Sequence, residues 1–399
     1  MLKLCMAVLV AVLLLAVPEA AGGDLRGPAF QKEVQKVFDQ VYALDYEAAA
    51  SSLRALKEQY PKHPAPPLYQ ATVVWLRELF ERQELDLGKF ISPSYFDRPT
   101  VRRMPAGEHQ AFLDLIEESE KLTREILRED PRNKDARYFL GSAEGVLASF
   151  SITIDRSRGK AFKHGKRAYK IHHSLVQQDP DYYDAYMSVG IYEYVVGKLP
   201  WYIKWLASLA GYHGSVKRGF QYLQRAAEKG SLVADDARVM QMVLYVREGQ
   251  FQKALENVLY LERKAPKNFL FQLNHAQILE KLGRLREALD VYKRVLSFAE
   301  EKRPNFQLLP IATIRYTVAS RFLELQRAHL ALDQFQKVLA DSATEREQAL
   351  SRLKSGQALD LLGRRNDAVV AYEQVLQLPD VENSHRQAKK YLKKSYLAP

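Results

Sequence analysis

The stretch Leu282-Gly283-Arg284-Leu285-Arg286-Glu287-Ala288-Leu289 decides the fold, because it is one of four near-copies in the second half of the chain. Glu248-Gly249-Gln250-Phe251-Gln252-Lys253-Ala254-Leu255 precedes it. Leu325-Gln326-Arg327-Ala328-His329-Leu330-Ala331-Leu332 and Leu362-Gly363-Arg364-Arg365-Asn366-Asp367-Ala368-Val369 follow. The anchor alanines stand at 254, 288, 331 and 368, so the steps are 34, 43 and 37 residues. A period near 34, with additions falling in loops, is the signature of stacked helical hairpins. One hairpin cannot bury its apolar face alone, and a neighbour completes the core.

Residues 235–268 form the cleanest unit. Arg238 to Tyr245 reads as an apolar first helix, and Gly249 marks the turn. Ala254, Val258 and Leu261 share one face of the second helix, and Pro266 follows its end. Further units begin near Phe269, Ala312 and Ala349, each with Tyr292, Phe335 or Tyr372 one turn after the alanine. The pattern resembles the tetratricopeptide repeat family. It has a small residue at the eighth position, Gly at the turn, Ala opening the second helix and Pro after it. The resemblance implies an all-α fold, a right-handed α-solenoid of stacked antiparallel helix pairs. It is strongest over 235–380.

Upstream the register is degenerate. Residues 30–63 fit one unit through Tyr46, Ala49, Leu53, Leu56 and Pro61. Arg137–Gly141 and Tyr186–Gly190 read as parts of first helices, and Ala168, Leu175 and Pro180 as a second. The Gly141-to-Pro180 distance exceeds the family pattern by about 15 residues, which predicts an insert over 142–165. A second insert is expected at 197–215, and long connections at 86–106 and near 297–311. Around 197–223, Leu199-Pro200-Trp201 and Gly219-Phe220 carry a fainter resemblance to the tetratricopeptide repeat 39 and Iml2-like family. The expected organisation is a signal peptide at 1–22, a degenerate helical region at 23–230, a regular array at 231–383 and a capping helix at 384–399.

The terminal assignment rests on Lys3, an apolar run of 14 residues from Leu4 to Val17, and the small residues Ala20-Ala21-Gly22. An uncleaved membrane anchor is the alternative, although about 20 apolar residues are needed to span a bilayer. Cys5 is the only cysteine, so a processed chain forms no disulfide and no thiolate metal site. Export without cysteine suits a bacterial periplasm or cell envelope. The net charge of +11 favours acidic partners, protein or anionic membrane, while nucleic acid is not expected for an exported chain.

No phosphate loop, zinc-protease helix or nucleophile elbow occurs, so neither an enzyme nor a cofactor or metal site is expected. The adjacent His172-His173 pair reads as a solvated helical pair, and the acidic pairs Glu117-Glu118 and Asp235-Asp236 as helix-start or surface charges. The concave face lined by first helices is the default binding surface of a solenoid. Projecting the family register places Tyr138, Ser142, Met187, Ile191, Tyr194, Val239, Val243, Leu273, Gln277, Tyr316, Ser320, Leu353 and Gln357 there. Exposed aromatics and Met suit an apolar helix or extended peptide, whereas packing against neighbouring helices is the plainer alternative for each. Members of the family that clamp chaperone C-termini use Lys and Asn at the positions of Tyr138 and Ser142, which disfavours that ligand.

Two further surfaces stand out. Trp201 and Trp205, four residues apart after Pro200, share a helical face with Lys204 beside them. They suit an interfacial membrane or partner-docking element, or a helix folded back into the core. Arg156, Arg158, Lys160, Lys163, Lys166, Arg167 and Lys170 follow Asp155 with no acid between them. They form a patch for an acidic lipid or protein, or a solubilising face. Lys389, Lys390, Lys393 and Lys394 carry the same two readings.

Overall fold

A computed structural model describes residues 25–85, 87–88, 103–200, 205, 213–341 and 343–397. Among them are seventeen α-helices and no strand. Hairpin one is α1 (Pro28–Tyr42) with α2 (Tyr46–Gln59), and hairpin two is α3 (Ala65–Glu81) with α4 (Ala106–Glu129). Hairpin three pairs α5 (Lys134–Thr153) with α6 (Arg158–Gln178), and hairpin four α7 (Tyr186–Gly197) with α8 (Val216–Lys229). The regular array follows: α9 (Ala234–Arg247) with α10 (Phe251–Lys264), and α11 (Phe269–Lys281) with α12 (Leu285–Glu300). It continues with α13 (Ile311–Glu324) and α14 (Ala328–Ala340), then α15 (Glu345–Leu361) and α16 (Arg365–Val375), before the last helix α17 (Ser384–Lys393). Each helix packs on the one before it and the one after it in the chain, the ladder of contacts that defines an α-solenoid.

The sequence signals act locally as expected. Ala254, Ala288, Ala331 and Ala368 are fully buried where paired helices approach closely. The turn residues Gly249, Gly283 and Gly363 adopt φ of 69°, 73° and 73°, a conformation open to glycine at little cost. In the third copy Gln326 takes the same conformation at φ 58°. Helix starts are capped by side chains: Asp45 accepts from the Ala48 amide, Asn133 from that of Ala136, and Thr344 forms a capping box with Glu347. The eighth-position residue must be small because the partner helix leans on it. A Cβ on Gly356 would stand 2.4 Å from the Tyr372 ring, and one on Gly141 2.3 Å from that of His172.

The 142–165 insert is not a separate element. The additional residues lengthen both members of hairpin three, to 20 and 21 residues, joined by a short turn at 154–157. The longer helices satisfy their own backbone hydrogen bonds and bury new surface against hairpin two. Phe150 stacks on Phe112 at 3.8 Å, and the Trp75 indole donates to Thr153 Oγ1 at 2.8 Å. The connection after α12 begins later than expected, since the helix continues to Glu300 and a single 3-10 turn, Phe306–Leu308, interrupts the loop. The 86–106 connection and the 197–215 insert fall largely outside the described residues.

The last described helix, α17, packs on α16 and α15. Arg365 donates to the carbonyls of Tyr391 and Leu392, both at 2.8 Å, and satisfies the last turn of α17. The Asp360 carboxylate, fully buried, holds Arg365, the Tyr372 hydroxyl and the Tyr396 amide.

Hairpin one closes back on the middle of the array. Leu25 to Ala43 lies across the amino-terminal ends of the first helices of hairpins four to six and the loop before hairpin seven. Arg26 pairs with Asp184 and donates to Ser231, and Tyr42 donates to Asp236. The Asn268 amide donates to the Tyr42 carbonyl at 2.8 Å, and that of Asn305 to the Ala43 carbonyl. Tyr42 and Phe271 add a ring contact at 6.1 Å.

Candidate functional site

The inner side of the solenoid is where the first-helix register projects Tyr138, Ser142, Met187, Ile191, Tyr194, Val243, Gln277 and Tyr316. Two of these are not accessible. Tyr138 is buried: the Arg26 guanidinium lies over its ring at 5.3 Å, and His172 stacks on it at 5.2 Å. Burial, with Asp184 nearby, raises its hydroxyl above the usual tyrosine range. Tyr194 is also buried, between Phe220 and the end of α9, where its hydroxyl donates to Glu248 Oε1 at 2.7 Å. Ser320, Leu353 and Gln357 are buried in the same way. Bulky residues at these register positions are absorbed by contacts between hairpins and, for Tyr138, by the returning N-terminal segment.

Ser142, Met187, Ile191, Val243, Gln277 and Tyr316 remain half-buried, as do Val239 and Leu273. Met187 and Tyr316 stand at the register position of Tyr138, and Ile191, Val243 and Gln277 at that of Ser142, on the first helices of four successive hairpins, the fourth to the seventh. Beside them Arg321 bridges Glu280 and Glu324, an ion-paired rim to an otherwise mixed surface.

The amino-terminal edge of this face is polar and interlocked, a feature that sequence reasoning missed. Asp184 Oδ1 accepts the Leu232 and Val233 amides at 3.0 and 3.2 Å, and its Oδ2 accepts from Ser231 at 2.9 Å and pairs with Arg26. Arg26 also lies 4.9 Å over the Tyr182 ring, whose hydroxyl donates to Asp135 at 2.6 Å. Burial works against the Arg26 charge, yet Asp184 beside it holds it above the ordinary arginine value. Asp235 and Asp236 stand in the first turn of α9 as expected, but only Asp236 is exposed. Asp235 is buried and paired with Lys264, while Asp236 holds Tyr42. Crowding by protein, with Asp235 and Asp184 near, pushes the Asp236 carboxyl up to about 6 against the Tyr42 hydrogen bond. Solvent still reaches Asp236, so the charge is partly screened. The only signal in the sequence was the placement of these residues at helix starts.

His172 likewise departs from expectation. Its ring is buried rather than solvated, with Nε2 donating to the Tyr138 carbonyl at 2.9 Å and Nδ1 accepting from Ser188. His173 stacks on Tyr169. Among the described residues no cluster of His, Cys, Asp and Glu has metal-ligand geometry.

The basic patch divides. Arg158, Lys160, Lys163, Arg167 and Lys170 are exposed on α6 and Lys166 is partly covered. At 100° per residue, Lys163 and Lys170 lie opposite the buried Ala168, His172 and Leu175. Arg167 pairs with Glu144 at 3.2 Å and Lys160 lies 3.6 Å from Asp155. Arg156 leaves the patch: it precedes the helix with φ 53° and turns inward to Glu84 at 2.9 Å. Trp205 is 62% exposed, and Trp201 lies outside the described residues. No described helix is long and apolar enough to cross a membrane.

A cavity of about 560 Å³ lies between α10 and α12, over α11. No sequence motif announced it.

Residues 239–305 match the tetratricopeptide repeat family in the form described as TPR_16. No curated protein matches. The fold is similar to that of human IFIT1 in a dimer with PPP-AAAA, at 16% identity and TM-score 0.36 over 93% of this chain and 85% of that one. It is similar to yeast Tom70 at 12% identity and TM-score 0.33 over 92% and 82%. A tetratricopeptide repeat protein from Parabacteroides merdae aligns at 12% identity and TM-score 0.30 over 84% and 100%.

Proposed function

The chain is a tetratricopeptide repeat protein, and from that premise we propose that it is a non-enzymatic scaffold of a bacterial periplasm or cell envelope, holding a protein or peptide partner along its first-helix face. Tetratricopeptide repeats serve as protein-interaction scaffolds. The observation that carries the finer reading is the row of Met187 and Tyr316 at one register position and Ile191, Val243 and Gln277 at another, partly exposed along four hairpins. Such a row presents evenly spaced apolar and amide groups to a helix or extended segment. Closure of hairpin one on hairpins four to seven supports the row from one edge and lowers the entropy lost on binding. Export is read from residues 1–22 and the lack of cysteine in the remainder. N-terminal sequencing of protein from an envelope fraction tests it: recovery of the intact terminus in the cytoplasmic fraction refutes export.

Photo-crosslinkers at Gln277 and Tyr316, introduced in cells, test the partner face. A discrete adduct lost on Met187→Ala with Ile191→Ala is expected. Adducts indifferent to those changes, or arising equally from α14, remove this face from consideration.

A second reading, attachment to an anionic membrane surface, is favoured by the outward basic face of α6 and by exposed Trp205. Each cation near such a surface contributes on the order of 1 kcal/mol. Flotation with vesicles rich in phosphatidylglycerol decides it, and binding insensitive to Lys163→Glu with Lys170→Glu overturns it.

A further inference from the structure

The cavity between α10 and α12 owes its existence to a departure from the repeat. The step from Ala288 to Ala331 is 43 residues instead of about 34, and the longer connection supplies Arg303, Pro304 and Phe306 as one wall. At about 560 Å³ the cavity is within the range of ligand sites, which runs from about 300 to 1,000 Å³.

Its chemistry is two-sided. Leu259, Phe298 and Phe306 give an apolar interior, and Arg263, Lys267, Arg294 and Arg303 bring four cations around it. Glu262 is the only carboxylate in the lining, and it is already held by His275 Nδ1 and Arg294, both at 2.8 Å. Arg303 lies 3.8 Å over the Phe298 ring and pairs with Glu301 at 2.7 Å. Arg263 and Lys267 are exposed, and neither has an ion-pair partner among the described residues. Positive charge therefore exceeds what the protein itself neutralises, around an apolar hollow.

We infer that this cleft docks an acidic peptide segment of a partner protein, seating one aromatic or aliphatic side chain against Leu259 and the exposed part of Phe298 while flanking carboxylates reach Arg263 and Lys267. A peptide matches better than a compact anion, because the cations come from three elements, the end of α10, α12 and the 301–306 loop, spread around an open mouth. The inference deepens the scaffold reading and rests on it.

Isothermal titration of the full chain with an acetylated, amidated hexapeptide of four glutamates and two phenylalanines tests it. Binding that weakens with added salt is expected. The lysine analogue, and the peptide with glycine for phenylalanine, should not bind. Reversing both free cations, Arg263→Glu with Lys267→Glu, turns two exposed attractions into repulsions and should weaken binding about tenfold. Phe298→Ala should weaken it with circular dichroism unchanged, and Lys163→Glu with Lys170→Glu on α6 should leave it unaltered. Absence of binding overturns the inference, and so does binding that survives the Arg263/Lys267 reversal or disappears with the α6 reversal. If the peptide fails while the Gln277 and Tyr316 crosslinks persist, the cleft is wrong and the scaffold reading stands. If both fail, the scaffold reading falls too.

Discussion

Mild acid should destabilise this protein through two buried histidines, His63 and His172. His63 stacks on Phe30 at 3.9 Å, donates from Nε2 to the Leu25 carbonyl at 2.7 Å and accepts the Ala65 amide on Nδ1 at 3.0 Å. His172 is held in the same way between Tyr138 and Ser188. The accepting nitrogen of His63 faces a backbone N–H and has no room for a proton, that of His172 takes one only if the Ser188 hydroxyl turns, and burial lowers both groups from 6.5 to about 4. As pH falls, the unfolded chain therefore takes up these protons first. The stability they contribute is complete above about pH 6.5 and is lost progressively down to about pH 4. Between pH 7 and pH 5 the loss is about 2 kcal/mol per histidine, about 4 kcal/mol together. Urea titrations followed by far-ultraviolet circular dichroism at half-unit pH steps would read it, comparing wild type with His63→Gln, His172→Gln and the double variant. The quantity of interest is the difference in slope, since each substitution also shifts absolute stability. Each single variant should lose about half of the pH dependence in this window and the double variant nearly all of the histidine part. Parallel curves for wild type and double variant between pH 7 and 5 would refute the reasoning.

Asp236 should act with the opposite sign. Its carboxyl is raised to about 6, so the folded state protonates first and gains stability as pH falls from about 6 towards 4. With solvent screening the gain is about 1 kcal/mol, and Asp236→Asn should steepen the acid loss measured in the same titrations. Gly141→Ala drives a Cβ into the His172 ring and Gly356→Ala one into Tyr372, so each should cost about 1–3 kcal/mol in the same denaturation assay. Gln326→Gly relieves a left-handed residue at an unobstructed turn and should raise stability by about 0.5–1 kcal/mol. Asn268→Ala with Asn305→Ala removes both side-chain clamps on the Tyr42–Ala43 backbone, at about 1 kcal/mol each. Hydrogen exchange should then accelerate over 25–43 before it changes in hairpin eight.

Much of the architecture was legible because its determinants are local. The 34-residue echo fixed the helix pairs, the anchor alanines marked the close contacts, and Gly249, Gly283 and Gly363 marked the turns. Even the degenerate first hairpin was readable through Ala49, Leu53 and Leu56, all buried. Hairpin three was less transparent, because surplus residues that extend two helices in register have the same length signature as an inserted loop. The candidate sites were less legible still. The family register assigns a side chain to a face, but it does not say whether another part of the chain covers that face, and Tyr138 is covered by Arg26 from 112 positions upstream.

The sequence by itself determined the hairpins, their order and their stacking, since period, turn residues and capping act within about 40 residues. Only the tertiary structure decided what the surfaces became. It brought residues 25–43 against Asp184, Asp236, Asn268 and Asn305, buried His172 where a solvated pair was expected, and turned Arg156 away from its basic neighbours. It also shaped a cationic cleft from a long connection. The first of these outcomes depends on superhelical curvature, which accumulates over several repeats from small rotations at each interface, and the others on contacts between neighbouring hairpins. No single repeat carries that information, so the pattern that names the hairpins is silent about the residues that meet across them.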